Sequence, residues 1–210
     1  MNAQQILLQK INALQPDRGH YKCYQAFGKI ELKGQRPVEE RFAIYKLNSI
    51  LTLESTVLDI GSNIGCMALY VSEFVKEVHG VESYKSHVTI SNLIRDFLYI
   101  GNCKFYHQDI LKFKNAIQYD VLLSLAAHPK SMKKFQQFVN LVYRPMLKIH
   151  GHLLIESRDF KGKHEPFFKY IAVLVSNGFV VDVSGSCQCE NDKGEKNQFR
   201  EFKILRKVPK

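Results

Sequence analysis

The chain has no long apolar run. Nothing in its 210 residues approaches the roughly 18 consecutive apolar residues that a membrane-spanning helix needs. The opening Met1-Asn2-Ala3-Gln4-Gln5-Ile6-Leu7-Leu8-Gln9-Lys10 is too short in apolar residues for a secretory signal. No Pro/Gly/Ser-rich linker, internal repeat or low-complexity tract divides the sequence, so one α/β-sized domain is expected. The five cysteines are odd in number and scattered, which fits reduced thiols in a cytoplasm better than a disulfide framework. Cys187-Gln188-Cys189 has no matching Cys/His pair, so no metal site is expected.

Two nucleotide signatures are missing as well. No glycine-rich loop closes on Gly-Lys-Ser/Thr, so the lysine and hydroxyl of a phosphate cradle are absent. No G-x-G-x-x-G follows a strand, which argues against a dinucleotide site. What stands instead is Val57-Leu58-Asp59-Ile60-Gly61-Ser62-Asn63-Ile64-Gly65-Cys66, an apolar run with an acid that tips into a turn spaced G-x-x-x-G. Gly61 and Gly65 allow φ values that other residues resist and leave backbone bare for a ligand. Asp59 puts a carboxylate at the carboxyl end of the strand, where open α/β sheets bind ligands. It repels pyrophosphate but suits an ammonium or sulfonium centre, and S-adenosylmethionine carries both.

The next strands agree. Glu77 to Glu82 ends in an acid placed for ribose hydroxyls, and Cys103 to Asp109 ends in one placed for the adenine amino group. With these residues in place the chain resembles the class I S-adenosylmethionine-dependent methyltransferases over about residues 36 to 206. Asp59, Gly61 and Gly65 match the family's glycine loop, Glu82 its ribose acid and Asp109 its adenine-side acid; Ser62 departs, though it too is small. The stretch Gly34 to Tyr45 resembles, more loosely, a lead-in seen in bacterial members. The resemblance implies S-adenosyl-L-methionine as cofactor and S-adenosyl-L-homocysteine as product. It implies a cofactor site built from Asp59, Gly61, Ser62, Asn63, Gly65, Glu82, Ser83, Asp109, Ile110 and Ser124, with Tyr24 and Arg41 from a preceding lid. Arg41 suits the cofactor's carboxylate, or else a salt bridge with Glu39 or Glu40.

Periodicity predicts a helix over 3–14, a strand over 29–33 and a helix over 39–51. Strands follow at 56–60, 77–81, 103–107, 119–124 and 151–156, with helices at 64–75, 84–99, 131–143 and 164–176 between or after them. Strands 179–184 and 199–206 are joined without a helix, by a polar link expected to be mobile. The fold class expected is a Rossmann-like, doubly wound seven-stranded α/β sheet, mostly parallel with an antiparallel C-terminal hairpin strand. Residues 1–50 form an N-terminal helical and strand lid, and residues 51–210 the core.

The acceptor is less legible. The fourth strand, Tyr119 to Leu125, runs into Ala126-Ala127-His128-Pro129 without the Asn/Asp-Pro-Pro-aromatic or Pro-Cys signatures of DNA-base methylation. His128 suits a general base for a hydroxyl, or else packs or caps the following helix. Arg158 could hold an anionic acceptor, Tyr84 could cover an adenine face, and the other histidines, including His164, read as structural or surface. Residues 1–105 carry 12 basic and 10 acidic side chains; residues 106–210 carry 18 and 10. A basic second half favours a polar or anionic acceptor, a small molecule or glycan methylated on oxygen. RNA is the alternative acceptor, and a non-catalytic cofactor-binding module the alternative class; the oligomeric state stays open.

Overall fold

The structure is a computed structural model, and it describes residues 1–15, 23–158, 167–189 and 198–209. His164, the first turn of the helix expected from 164 and most of the polar link at 188–198 lie outside the described residues. Helix α1 (Ala3–Leu14) is closed at its start by a capping box, in which Asn2 and Gln5 exchange side-chain-to-backbone hydrogen bonds. It buries Leu7 and Ile11. Strands β1 (Cys23–Ala26) and β2 (Gly34–Pro37) pair in parallel, and α2 (Val38–Ile44) follows.

The main sheet contains β3 (Thr56–Ile60), β4 (Glu77–Glu82), β5 (Cys103–His107), β6 (Tyr119–Leu125), β7 (Leu147–Glu156), β8 (Phe179–Cys189) and β9 (Gln198–Lys207). Their order is β5-β4-β3-β6-β7-β9-β8. The first five strands are parallel; β9 runs antiparallel between β7 and β8. The expected seven-stranded sheet with its antiparallel terminal hairpin is therefore present. Helices α3 (Cys66–Val71), α4 (Lys85–Phe97), α5 (Met132–Phe138), α6 (Arg144–Met146) and α7 (Phe167–Ser176) accompany it.

Successive residues of a strand point to opposite faces, and here both faces are buried. Val57, Val78, Val121 and Leu123 join a core with α1, α2 and α4, while Leu58, Val81, Leu122 and Leu153 join another with α5 and α7. Asp59 shares the parity of Val57, which sets its side chain toward the face that residues 1–50 cover.

Three expectations are corrected. The alternation over 29–33 is a turn: Phe27 and Leu32 exchange backbone hydrogen bonds, Gly28–Ile30 is a 3₁₀ turn and Glu31 is left-handed (φ 54°). Ile30 and Leu32 are buried all the same, so the alternation reflected burial and not a strand. The helix expected over 39–51 stops at Ile44 because Lys46 is left-handed (φ 55°), and Leu47–Ser49 forms a 3₁₀ turn. After α5 the chain widens into a π-helical stretch, Val139–Tyr143, ahead of Pro145, which has no N–H to continue an α ladder. Among the described residues no helix is long and apolar enough to cross a membrane, and no His/Cys/Asp/Glu cluster fits a metal ion.

Candidate active site

The chain's order reverses between β3 and β6, and the carboxyl ends of the parallel strands open there onto a cleft of about 500 Å³. That volume falls in the range of small-molecule sites. The loop after β3 forms its floor. Gly61 (φ 68°), Asn63 (φ 54°) and Gly65 (φ 78°) are all left-handed, so this turn is built from residues that tolerate that region. A Cβ on Gly61 would lie 2.9 Å from that of Ala127, and one on Gly65 would lie 2.6 Å from the Phe105 ring and 2.7 Å from Ser91 Oγ. The glycines thus let the loop pack against β5, β6 and α4; only Gly61 of the two also lines the cleft.

The acids divide sharply. Asp59 lines the cleft at 2% exposure, and its Oδ2 has no hydrogen-bond partner. Burial raises its carboxyl to about 7; Arg41 pulls against that and Glu82 adds to it. Glu82 also lines the cleft, and its oxygens accept from the Asn63 and Tyr84 amides (2.9 and 3.0 Å) and from Ser83 Oγ (3.2 Å). Asp109 does not join them. It is exposed, its Oδ1 accepts from the Leu111 amide (2.9 Å), and it caps the turn after β5 as an Asx turn. Ile110 packs against the α5–α7 core, and Ser124 points to Tyr143, 2.6 Å away. Ser62 is buried beneath the loop with its Oγ turned toward Gly80.

His128 is not brought to the cleft. Its ring is 1% exposed and sits among Phe135, Phe167 and Tyr170, at 5.5, 6.4 and 4.9 Å between centroids. What His128 offers the site is its carbonyl, which accepts from Arg158 Nη1 at 2.9 Å. Tyr84 is 66% exposed and lines the cleft, 5.3 Å from the His87 ring and away from the core.

The opposite wall is basic, and its organisation escaped the sequence reading. Glu156, fully buried at the end of β7, accepts from both Nη atoms of Arg36 (2.6 and 2.9 Å) and from the Tyr45 hydroxyl. Arg41 and Arg200 stand 3.9 and 4.0 Å from the same carboxylate. Burial alone would raise the Glu156 carboxyl, but Arg36 and Arg41 hold it down at about 2. Arg36 also donates to Tyr24 Oη (3.0 Å), and Arg41 Nε to Tyr45 Oη (3.1 Å). Arg41 therefore sits in this network and not on a solvated face with Glu39 or Glu40; its Nη1 is buried without a hydrogen-bond partner. Gln25, between Tyr24 and the loop, accepts the Cys66 amide at the start of α3 (3.1 Å). Of this wall, Tyr24, Gln25, Arg41 and Arg200 line the cleft.

Comparison with solved structures names the architecture. The N-methyltransferase NodS from Bradyrhizobium japonicum superposes with a TM-score of 0.65 over 81% of this chain and 97% of that one, at 16% identity. The chain has the fold of the S-adenosylmethionine-dependent methyltransferases. The NodS complex with S-adenosyl-L-homocysteine matches the methyltransferase fold equally (TM-score 0.64, 15% identity, 82% and 89% of the two chains). An rRNA methylase from Streptococcus thermophilus shares the methyltransferase fold at TM-score 0.58 and 14% identity, over 83% of this chain and 98% of that one. No family model matches. By sequence, an uncharacterised RNA methyltransferase of Mycoplasma mobile is 30% identical over 80 residues, 37% of this chain; the matched part spans 22% of that relative's length.

Proposed function

We propose that the protein is an S-adenosylmethionine-dependent methyltransferase acting on an oxygen of a polar or anionic small molecule or glycan. The observation that carries this is Asp59: a buried carboxylate oxygen without a partner, on the cleft, beside the left-handed Gly61 loop. A buried polar group without a hydrogen bond is costly, and a cationic ligand removes that cost. The cofactor fits the remaining residues in the same way. Asp59 would take its ammonium and Glu82 its ribose hydroxyls, with the exposed Tyr84 ring against the adenine. The buried Arg41 Nη1 would take its carboxylate. Asp109, exposed and engaged with Leu111, would act on the adenine only from the rim.

When bound, the cofactor supplies an electrophilic methyl carbon on a sulfonium that departs as a neutral thioether. The chain supplies orientation and the exclusion of water. The Gly61–Asn63 turn and the Leu125–Ala127 segment bound the reacting region, and Ala126 is held there with a strained φ of 61°. Residues 1–50 act as the lid, bolted to β7 through Arg36 and Glu156. Cys23, Cys66, Cys103 and Cys187 are buried thiols outside any disulfide, which supports a cytoplasmic location.

Calorimetric titration with S-adenosylhomocysteine tests the cofactor reading: binding by wild type with loss in Asp59→Ala is expected, and no binding by folded wild type ends it. A labelled methyl donor with acceptor mixtures then identifies the product by mass spectrometry. The Mycoplasma mobile relative favours RNA as the second reading. RNA affinity would fall steeply with log salt, and that of a small acceptor would not. Cofactor binding with no transfer to any acceptor would mark a non-catalytic module.

A further inference from the structure

The cleft is polarised. The ends of β3 and β4 give it acceptors in Asp59 and Glu82, and the wall that β1 and α2 present gives it Tyr24, Gln25 and Arg41. What the first two of these turn toward the cleft is fixed by the partner on their other side.

Gln25 is the more constrained. Its side chain accepts the Cys66 amide at 3.1 Å. Only the carbonyl oxygen of a carboxamide can accept, so the NH2 end points away from α3. Gln25 is buried and lines the cleft, and its Nε2 has no hydrogen-bond partner among the described residues. Tyr24 follows the same logic. Its hydroxyl meets Arg36 Nη1 at 3.0 Å, and a guanidinium can only donate. The phenol oxygen is the acceptor there, which leaves its own O–H without a partner among the described residues. Arg41 contributes a third donor, the buried Nη1.

Three donors with no acceptor beside them suit a ligand group made of acceptor oxygens. They carry one positive charge between them, so a monoanion matches them. Tyr24 and Gln25 are consecutive in β1, and Arg41 is close enough to feel Tyr24 and to pull on the Asp59 carboxyl. The ammonium and carboxylate of an amino acid hang from one carbon. Whatever answers the carboxylate must therefore stand beside the residue that holds the ammonium.

We propose that Tyr24 and Gln25 read the carboxylate of the cofactor: both donate to it alongside Arg41, and they make binding depend on its presence. This role rests on the cofactor reading above and adds a discrimination to it, S-adenosylmethionine over its decarboxylated form. Gln25 then works on two sides at once, since the carboxamide that holds the ligand also holds the first amide of α3, next to Gly65.

The test is isothermal titration of the full chain with S-adenosylmethionine and, separately, with decarboxylated S-adenosylmethionine, which keeps the sulfonium and an ammonium but has no carboxylate. Wild type is expected to bind the first about tenfold or more tightly, the effect of hydrogen bonds to a charged group. In Gln25→Glu one carboxylate oxygen still accepts the Cys66 amide, while the other arm changes from a donor into an anion. This variant should keep the wild-type melting temperature, lose about tenfold or more in affinity for S-adenosylmethionine, and hold or gain affinity for the decarboxylated form. Tyr24→Phe keeps the ring and should lose about tenfold for S-adenosylmethionine alone. It carries the test should Gln25→Glu fail to fold. Equal affinity of wild type for the two ligands overturns the carboxylate reader, as does an unchanged affinity for S-adenosylmethionine in a folded variant. A parallel loss of both ligands in a variant overturns it too, because that is the mark of a merely structural role. Folded wild type that binds neither ligand overturns the cofactor reading itself.

Discussion

Arg36 grips both carboxylate oxygens of Glu156, at 2.6 and 2.9 Å, across 120 positions of sequence and with both side chains buried. The pair joins β2 to the end of β7, and Tyr45 adds a third hydrogen bond from α2's C-cap. A buried ion pair is weak grounds for stability in itself, yet removing one partner strands the other. Glu156→Gln leaves Arg36 and Arg41 buried, with Arg200 beside them, around a neutral amide. The expected loss is about 3–5 kcal/mol, or roughly 6–20 °C in melting temperature for a chain of this size. Differential scanning calorimetry checks it; a melting temperature unchanged from wild type would show that the network contributes little. Because the folded carboxyl lies at about 2, below its usual value, this contribution is present above the usual carboxylate range. It should be lost progressively as pH falls from the usual carboxylate range through about 2.

The Asp59 carboxyl titrates the other way. Its proton is held up to about 7 by burial, and a cationic ligand binds the ionised form. The dissociation constant for S-adenosylhomocysteine, which keeps the ammonium, should therefore fall as pH rises from about 6 to 8 and level off above. In Asp59→Asn the affinity should be weaker throughout and flat in pH over the same interval. Calorimetry across that range decides it, and a wild-type profile already flat there would remove Asp59 as the ammonium partner. The same raised value makes the ligand-free fold bind more protons than the unfolded chain between the usual carboxylate range and about 7. This term alone lowers stability as pH climbs through that window.

Gly65 carries two constraints that one substitution can separate. Its φ of 78° is costly for any residue with a Cβ, and that Cβ would stand 2.6 Å from Phe105 Cζ. Gly65→Ala should lose about 2–4 kcal/mol, from the left-handed backbone together with overpacking. Adding Phe105→Leu should return the packing part and leave the backbone part. Urea denaturation of the single and double variants measures both; identical midpoints would place the whole cost in the backbone.

Some of this was legible in the chain and some was not, for a physical reason. Asp59 and Glu82 each follow an apolar run at the end of a strand, so local pattern alone puts them on the ligand side. Asp109 has the same local pattern but spends its carboxylate on the Leu111 amide, a choice made by the turn after β5. The basic wall is the larger omission. Arg41 read as a partner of the cofactor's carboxylate or of Glu39 or Glu40, Arg36 drew no role of its own, and Glu156 and Arg200 lie far along the chain. Only the sheet order brings the four together. The helix that stops at Ile44 was missed for a similar reason, since Tyr45 and Leu47 are buried on either side of a left-handed Lys46 and keep the apolar pattern going.

His128 brings the two readings of one residue to a measurement. As a general base its imidazole would meet the acceptor, and its removal would cost about 10²–10⁴-fold in rate. In the structure the ring is packed against Phe135, Phe167 and Tyr170, and the backbone carbonyl braces Arg158. A phenylalanine fills the same aromatic space and keeps the carbonyl. His128→Phe should therefore retain kcat within a few-fold once an acceptor is in hand, with KM for that acceptor little changed. His128→Gly opens a cavity beneath the Arg158 brace, so it should raise KM more than it lowers kcat. A hundredfold drop in kcat for His128→Phe, with the fold intact by circular dichroism, would return the imidazole to the chemistry.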